Sequence, residues 1–172
     1  MPDEILIQDI GKSNGMKTCL LVIGKTDAAF IREGIAEYEK RLMRYLPYEM
    51  KILPDVKNAR NMTENLQKEK EGELILEQLQ AGDWVVLLDE KGKQYTSVGF
   101  ADYLAQKMLM GIKRLVFVIG GPYGFAESVY QRTNEKISLS KMTFSHQMVR
   151  MIFTEQIYRA MTILKGEPYH HE

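Results

Sequence analysis

Two short stretches of this chain have the composition of a ligand site, and neither is a known phosphate grip. The first is Gly120-Gly121-Pro122-Tyr123-Gly124, directly after the apolar run Leu115 to Ile119. Glycines at the end of a buried strand let another molecule approach the backbone closely, and crevices form at such strand ends. It is not a dinucleotide fingerprint, because G-x-G-x-x-G is absent, and it is not a P-loop, because no Gly-Lys-Ser/Thr follows. A tight structural turn explains it as well as a ligand loop does. The second is Leu139-Ser140-Lys141-Met142-Thr143-Phe144, a loop whose backbone groups have no evident ladder partner. The edge of an adenine, flat and carrying both donor and acceptor, would satisfy them, and so would water.

All three histidines lie late in the chain, at His146, His170 and His171. Two adjacent histidines near a chain end, without fixed geometry, make a poor metal site. Contact with RNA is the alternative, with Tyr169 stacking on a base. The sequence shows no serine elbow, zinc-type spacing or Cys–His pair. That suits a reaction in which a cofactor supplies the electrophile and the protein positions it. The single Cys19 lies inside an apolar run and reads as a small core residue in a reducing compartment.

The elements that must position these loops alternate strand and helix, which predicts an α/β fold with a mostly parallel sheet flanked by helices. Strands are expected at 18–24, 48–53, 83–89, 114–119 and 136–139. Between them fall helices from Asp27 as cap through Ile31, Ile35, Tyr38, Leu42 and Tyr45, from Thr63 to about Leu79, across Phe100 to Met108 with Gly111 as left-handed cap, and over 127–132. Residues 90–93 read as a turn. The last helix, 146–165, carries a stripe of Val149, Phe153, Ile157, Ala160 and Leu164, with Met148, Met151 and Ile152 beside it. Arg150, Thr154, Arg159 and Thr162 fall on its remaining polar side. So wide an apolar face fits either a homodimer seam or a helix buried within one subunit.

The chain has 172 residues, 45% hydrophobic and 27% charged, with formal net charge zero. That supports one domain with a real core and excludes a histone-like binder that depends on many phosphate contacts. No apolar run is long enough to span a bilayer, and the start carries no basic signal-peptide region. Residues 1–15 read as an upstream extension outside the fold, and 16–172 as a single domain.

Taken in order, the segments resemble the ribosomal RNA large subunit methyltransferase H family, SPOUT enzymes that N3-methylate a pseudouridine in the helix 69 loop of 23S rRNA. The resemblance is carried by Leu20-Leu21-Val22-Ile23-Gly24-Lys25, Ala36-Glu37-Tyr38-Glu39-Lys40-Arg41 and Ile119-Gly120-Gly121-Pro122-Tyr123-Gly124. It continues through residues 139–144 with His146, Val149 and Arg150, then Glu155-Gln156-Ile157-Tyr158-Arg159-Ala160, and closes on Tyr169-His170. It implies a SPOUT-type α/β knot, with a trefoil knot in the C-terminal part. It implies S-adenosyl-L-methionine held by Leu88, Gly120, Leu139, Ser140, Lys141, Met142, Thr143 and Phe144, and no metal or membrane. It also implies a homodimer acting on 23S rRNA, each tail completing the partner's site; a neutral chain with few charges for flexible RNA points to an assembled ribosome as the substrate, in the cytoplasm.

On that resemblance the expected chemistry is in-line methyl transfer, in which orientation lowers the barrier most. His170 is expected to assist proton removal, with Tyr169 beside it. Arg150 and Lys141 are candidates for RNA phosphate or a developing base anion. Two departures stand out. Ser145 replaces a frequent proline, and His171 replaces the family's usual Arg or Lys after Tyr-His. A non-enzymatic assembly factor with this fold, or a SPOUT enzyme acting on transfer RNA, are the competing readings.

Overall fold

The structure is a computed structural model that describes residues 15–171. The upstream extension read at 1–15 therefore lies, apart from Gly15, outside the described residues. In chain order the elements are β1 (Lys17–Ile23), α1 (Ala29–Leu42), β2 (Tyr48–Leu53), a 3-10 turn (Ala59–Asn61), α2 (Glu64–Glu77) and β3 (Trp84–Gln94). They continue with α3 (Ser97–Leu109), β4 (Arg114–Ile119), α4 (Glu127–Arg132), β5 (Glu135–Ser138) and α5 (His146–Leu164).

The strands form one five-stranded sheet in the order β2-β1-β4-β3-β5. Every neighbouring pair is parallel. Parallel strands need crossovers, the crossovers place helices on both faces, and the central strands are therefore apolar on both sides. Leu20, Val22, Val86, Leu115, Phe117 and Ile119 face a core shared with Phe100 and Leu104 of α3 and Phe153 and Ile157 of α5. The alternate residues Cys19, Leu21, Val85, Leu87, Val116 and Val118 face Ile75 of α2 and Val129 of α4. Period two along each strand thus divides one sheet between two helical layers.

Several local expectations need correction. β3 does not stop before residues 90–93 but runs on to Gln94, with an irregularity in its pairing to β5, where Ile137 is registered with both Leu88 and Lys93. Gly92 permits this second approach, because a Cβ there would lie 2.5 Å from the Ile137 backbone. β5 begins and ends one residue early, which leaves Leu139 in the loop. Ala28, not Asp27, is the N-cap of α1, and it offers no side-chain cap. The carbonyls of Thr26 and Asp27 instead accept from Arg32 Nη1, at 2.8 and 2.5 Å. Tyr45 lies past the helix end.

The supposed polar side of α5 is largely internal. Arg150, Thr154 and Thr162 are buried. Thr154 Oγ1 donates to the Arg150 carbonyl at 2.7 Å, and it meets the Tyr48 hydroxyl at 2.9 Å. Met151 packs against Gly34 of α1 so closely that a Cβ there would collide with its sulfur. Part of the wide apolar face is therefore used within the chain, while Met148 and Ile152 remain half-buried.

Candidate functional site

The middle of β3 and the carboxyl ends of β4 and β5 converge on a cavity of about 630 Å3. That volume lies within the range that holds a cofactor-sized ligand. Its wall includes Leu88 and Asp89 from β3, the whole glycine loop from β4, and Leu139, Ser140, Lys141, Met142, Thr143 and Phe144 after β5. His146 and Val149 close it from the start of α5. The two loops singled out in the sequence, separated by α4 and β5, are thus two sides of one space.

Each loop is shaped by local chemistry. Gly124 has φ of +84°, a left-handed conformation that side chains disfavour, and its N–H donates to the Gly121 carbonyl at 3.2 Å. Gly120 sits against the Phe125 ring, which a Cβ would approach to 3.0 Å. Gly121 has no room at all, since a Cβ would fall on the Glu71 carboxylate. In the other loop Ser140 Oγ accepts from Met142 N–H at 2.9 Å, and the Ser140 carbonyl accepts from Ser138 Oγ at 3.2 Å. Part of that backbone is therefore satisfied by the loop itself. Met142 and Phe144 are exposed at the mouth, as is Lys141. Asp89 on the wall accepts from the Tyr130 hydroxyl and from Lys91 N–H, the latter at 2.8 Å. Burial and the Asp89 charge push the Tyr130 phenol well above its ordinary range, so it remains a donor.

Arg150 does not join this wall. It is 2% exposed, and its guanidinium donates to the carbonyls of Ile23 (2.7 Å) and Gly24 (2.8 Å) and to Thr26 Oγ1 (3.0 Å). The expectation that it meets RNA phosphate or a base anion is corrected accordingly. With Nη1 and Nη2 both bonded at and just past the end of β1, below the surface, the side chain is a structural tie.

Glu71 is the residue that sequence reading missed. It is 3% exposed and stands behind the glycine loop in a second cavity of about 160 Å3, which shares Gly120, Gly121, Pro122 and His146 with the first. Burial raises its carboxyl pKa, and the nearby Asp55 charge adds to the rise. Its signal was one helical turn before Ile75, on the same inward face of α2, hidden in a strongly charged segment.

Tyr169 and His170 lie elsewhere. The Tyr169 hydroxyl donates to Glu155 Oε1 at 2.9 Å, and His170 Nδ1 meets Arg159 Nη1 at 3.1 Å. Arg159 in turn donates to Glu155 Oε1 from Nε at 3.1 Å and Nη2 at 2.6 Å. Along α5, Arg159 is ten residues beyond Val149, or about 15 Å at 1.5 Å per residue. The predicted site residues thus fall into a cavity group and a tail group that one chain keeps apart. Among the described residues no cluster of His, Cys, Asp or Glu has the makings of a metal site, and no helix is long and apolar enough to cross a membrane.

Residues 16–170 match the family described as "Predicted SPOUT methyltransferase". The chain is 66% identical over 157 residues to ribosomal RNA large subunit methyltransferase H of Parabacteroides distasonis, covering 91% of this chain and all of that one. It is 60% identical to the protein of that name from Bacteroides thetaiotaomicron, with the same coverage. With the corresponding protein of Christiangramia forsetii it shares 60% identity, over 88% of this chain and 97% of the other. The chain belongs to this family. For a SPOUT methyltransferase, a cavity at the carboxyl edge of a parallel sheet, bounded by main chain, is where binding is expected. The five-stranded parallel sheet flanked by helices agrees with the α/β architecture read from the sequence.

Proposed function

We propose that this protein is a ribosomal RNA methyltransferase that uses S-adenosyl-L-methionine to methylate N3 of a pseudouridine in the helix 69 loop of 23S rRNA. It acts on assembled ribosomes in the cytoplasm, as a homodimer. The observation that carries this reading is the cavity in which Leu88, Gly120 and residues 139–144 meet, in a chain that belongs to the family. Its volume and its wall of loop backbone fit an adenosyl group. The cofactor, when bound, supplies the methyl electrophile.

The rest of the work falls to the chain's own residues. The two loops orient the cofactor and exclude water, and orientation of this kind contributes about 7–11 kcal/mol in favourable cases. Lys141, exposed in the second loop, is the residue we assign to an RNA phosphate. Tyr169 and His170 stand about 15 Å along α5 from their own cavity, so they serve the partner's cavity and not their own. This is the reason to read the protein as a homodimer, with residues 16–172 as its single domain and 1–15 as an extension. The C-terminal trefoil knot belongs to the same reading, through family membership.

Calorimetry with S-adenosylmethionine is the first test, and absence of binding would leave only a non-enzymatic assembly factor. The second is incubation of the protein and cofactor with naked 23S rRNA, large subunits and whole ribosomes from cells lacking this modification. Mass spectrometry should then find one added methyl in the helix 69 fragment, and only from whole ribosomes. Methylation of transfer RNA instead would overturn the substrate.

A further inference from the structure

We infer that Asp89 is the acceptor for the ribose hydroxyls of the cofactor, with Tyr130 as the residue that positions it. The inference rests on the methyl-transfer reading above and assigns a partner to one wall of its cavity.

Asp89 follows Leu88 where β3 passes the cavity, and both residues line it. The two oxygens of Asp89 are braced by different groups. Oδ2 accepts from the Tyr130 hydroxyl, and Oδ1 accepts from the Lys91 N–H at 2.8 Å. Burial and the bond to Asp89 keep the Tyr130 phenol protonated, so it is the donor. The Tyr130 ring is held in turn. It meets Phe125 edge-on, with centroids 5.8 Å apart, and Lys136 Nζ lies 5.6 Å from its centre. Phe125 is buried against Gly120 of the glycine loop.

A carboxylate only accepts, and its two oxygens offer about four lone-pair sites. One internal donor on each oxygen leaves both able to accept from a ligand, and Asp89 is only half-buried. The cofactor carries donors in three places: the adenine amine, the ribose diol and the ammonium. The adenine edge also carries acceptors, which a carboxylate repels, whereas loop backbone can satisfy both kinds. An ammonium is disfavoured because Lys91, two residues along, and Lys68 put positive charge on the same cavity. The diol fits. Its hydroxyls are adjacent and both can donate, which suits the two oxygens of one charged acceptor. Fixing the ribose also fixes the carbon that bears the sulfur, and methyl transfer depends on orientation of that kind. Glu90 lines the cavity as well, but it is exposed, so water competes for it.

Calorimetry with S-adenosylhomocysteine and its 2′,3′-dideoxy analogue tests the assignment without any turnover. The unmodified protein should bind the analogue about tenfold to a hundredfold more weakly, the loss expected for hydrogen bonds to a charged group. In Asp89→Ala that preference should vanish, because both compounds then bind equally weakly. Tyr130→Phe should lose part of the preference, whereas a merely structural role for Tyr130 would weaken both compounds alike. Circular dichroism checks that each variant is folded. Should Asp89→Ala not fold, Asp89→Asn replaces it, and its preference should fall in the same direction.

No preference in the unmodified protein, or full preference retained without the Asp89 carboxylate, would overturn the inference. A third result would overturn it too. If the Asp89 variant bound S-adenosylhomocysteine poorly but bound 5′-methylthioadenosine normally, Asp89 would be the partner of the ammonium, which the second compound lacks. Failure of the functional reading looks different, since the unmodified protein would then bind neither S-adenosylmethionine nor S-adenosylhomocysteine.

Discussion

A thiol 1% exposed in the middle of β1 has almost no contact with solvent, and burial pushes the Cys19 pKa up to about 11, with the Glu49 charge adding to the rise. The thiolate is the reactive form. Iodoacetamide at pH 8 should therefore leave the native protein unlabelled and modify it fully only in denaturant, as intact-mass measurement would show. Glu71 allows a test with a pH sign. Its carboxyl pKa is raised in the folded state, so the folded state holds a proton that the unfolded state has already released. Its stabilising contribution is complete below the ordinary carboxylate pKa and is lost as pH rises through the raised value. Denaturant titrations should show stability falling with pH across that window, and Glu71→Gln should flatten the fall. Gly121→Ala would drive a methyl into the same carboxylate. Overpacking of this kind costs about 1–3 kcal/mol, and here it should also weaken S-adenosylmethionine binding in calorimetry, because the displaced backbone is the cavity wall.

At the scale of elements, α5 carries the most consequence. Arg150 ties its first turns to the end of β1 through two carbonyls and a hydroxyl. Arg150→Met leaves those acceptors unpaired below the surface and should cost about 3 kcal/mol. In a chain of this size that lowers Tm by about 10 °C. Unchanged stability with lost rRNA methylation would return Arg150 to the RNA-contacting role that its place in the sequence suggested. Ser145 caps α5 by accepting from Met148 N–H at 3.1 Å, and its φ of −62° is the value a proline imposes. The family's frequent proline and this serine thus serve one backbone shape by different means. Ser145→Pro gives up a cap worth about 1 kcal/mol and recovers about 0.4–1 kcal/mol from the unfolded chain. Calorimetric scanning should find the two proteins within a few degrees, and a large drop would mean that the residue 145 N–H or the cap has a further partner.

The whole molecule separates its cavity from its tail by about half the length of α5, and the proposed two-subunit site would bring the two together. Complementation tests it. A cavity variant such as Gly121→Ala and the tail variant His170→Ala should each be nearly inactive alone. Mixed subunits should regain about a quarter of full activity, since half of the randomly formed dimers hold one intact site. No recovery from subunits shown to exchange would place cavity and tail in the same chain's service, and the homodimer reading would fall.

Local pattern was enough for the α/β class, because helix and strand periods differ and parallel strands buried on both faces read as unbroken apolar runs. The bounds of β2, β4 and α4 follow directly from such runs and the residues that end them. The glycine loop and residues 139–144 were likewise visible, since their composition departs from that of any regular element. Tertiary structure alone decided that the two loops share one cavity, that Arg150 is spent on carbonyls and that Glu71 backs Gly121. It also carried β3 through an apparent turn, because β5 offered a second pairing that Gly92 leaves room for. A side chain's chemistry is written in its own residue type, but its partner comes from a distant part of the chain, and only packing brings the two together.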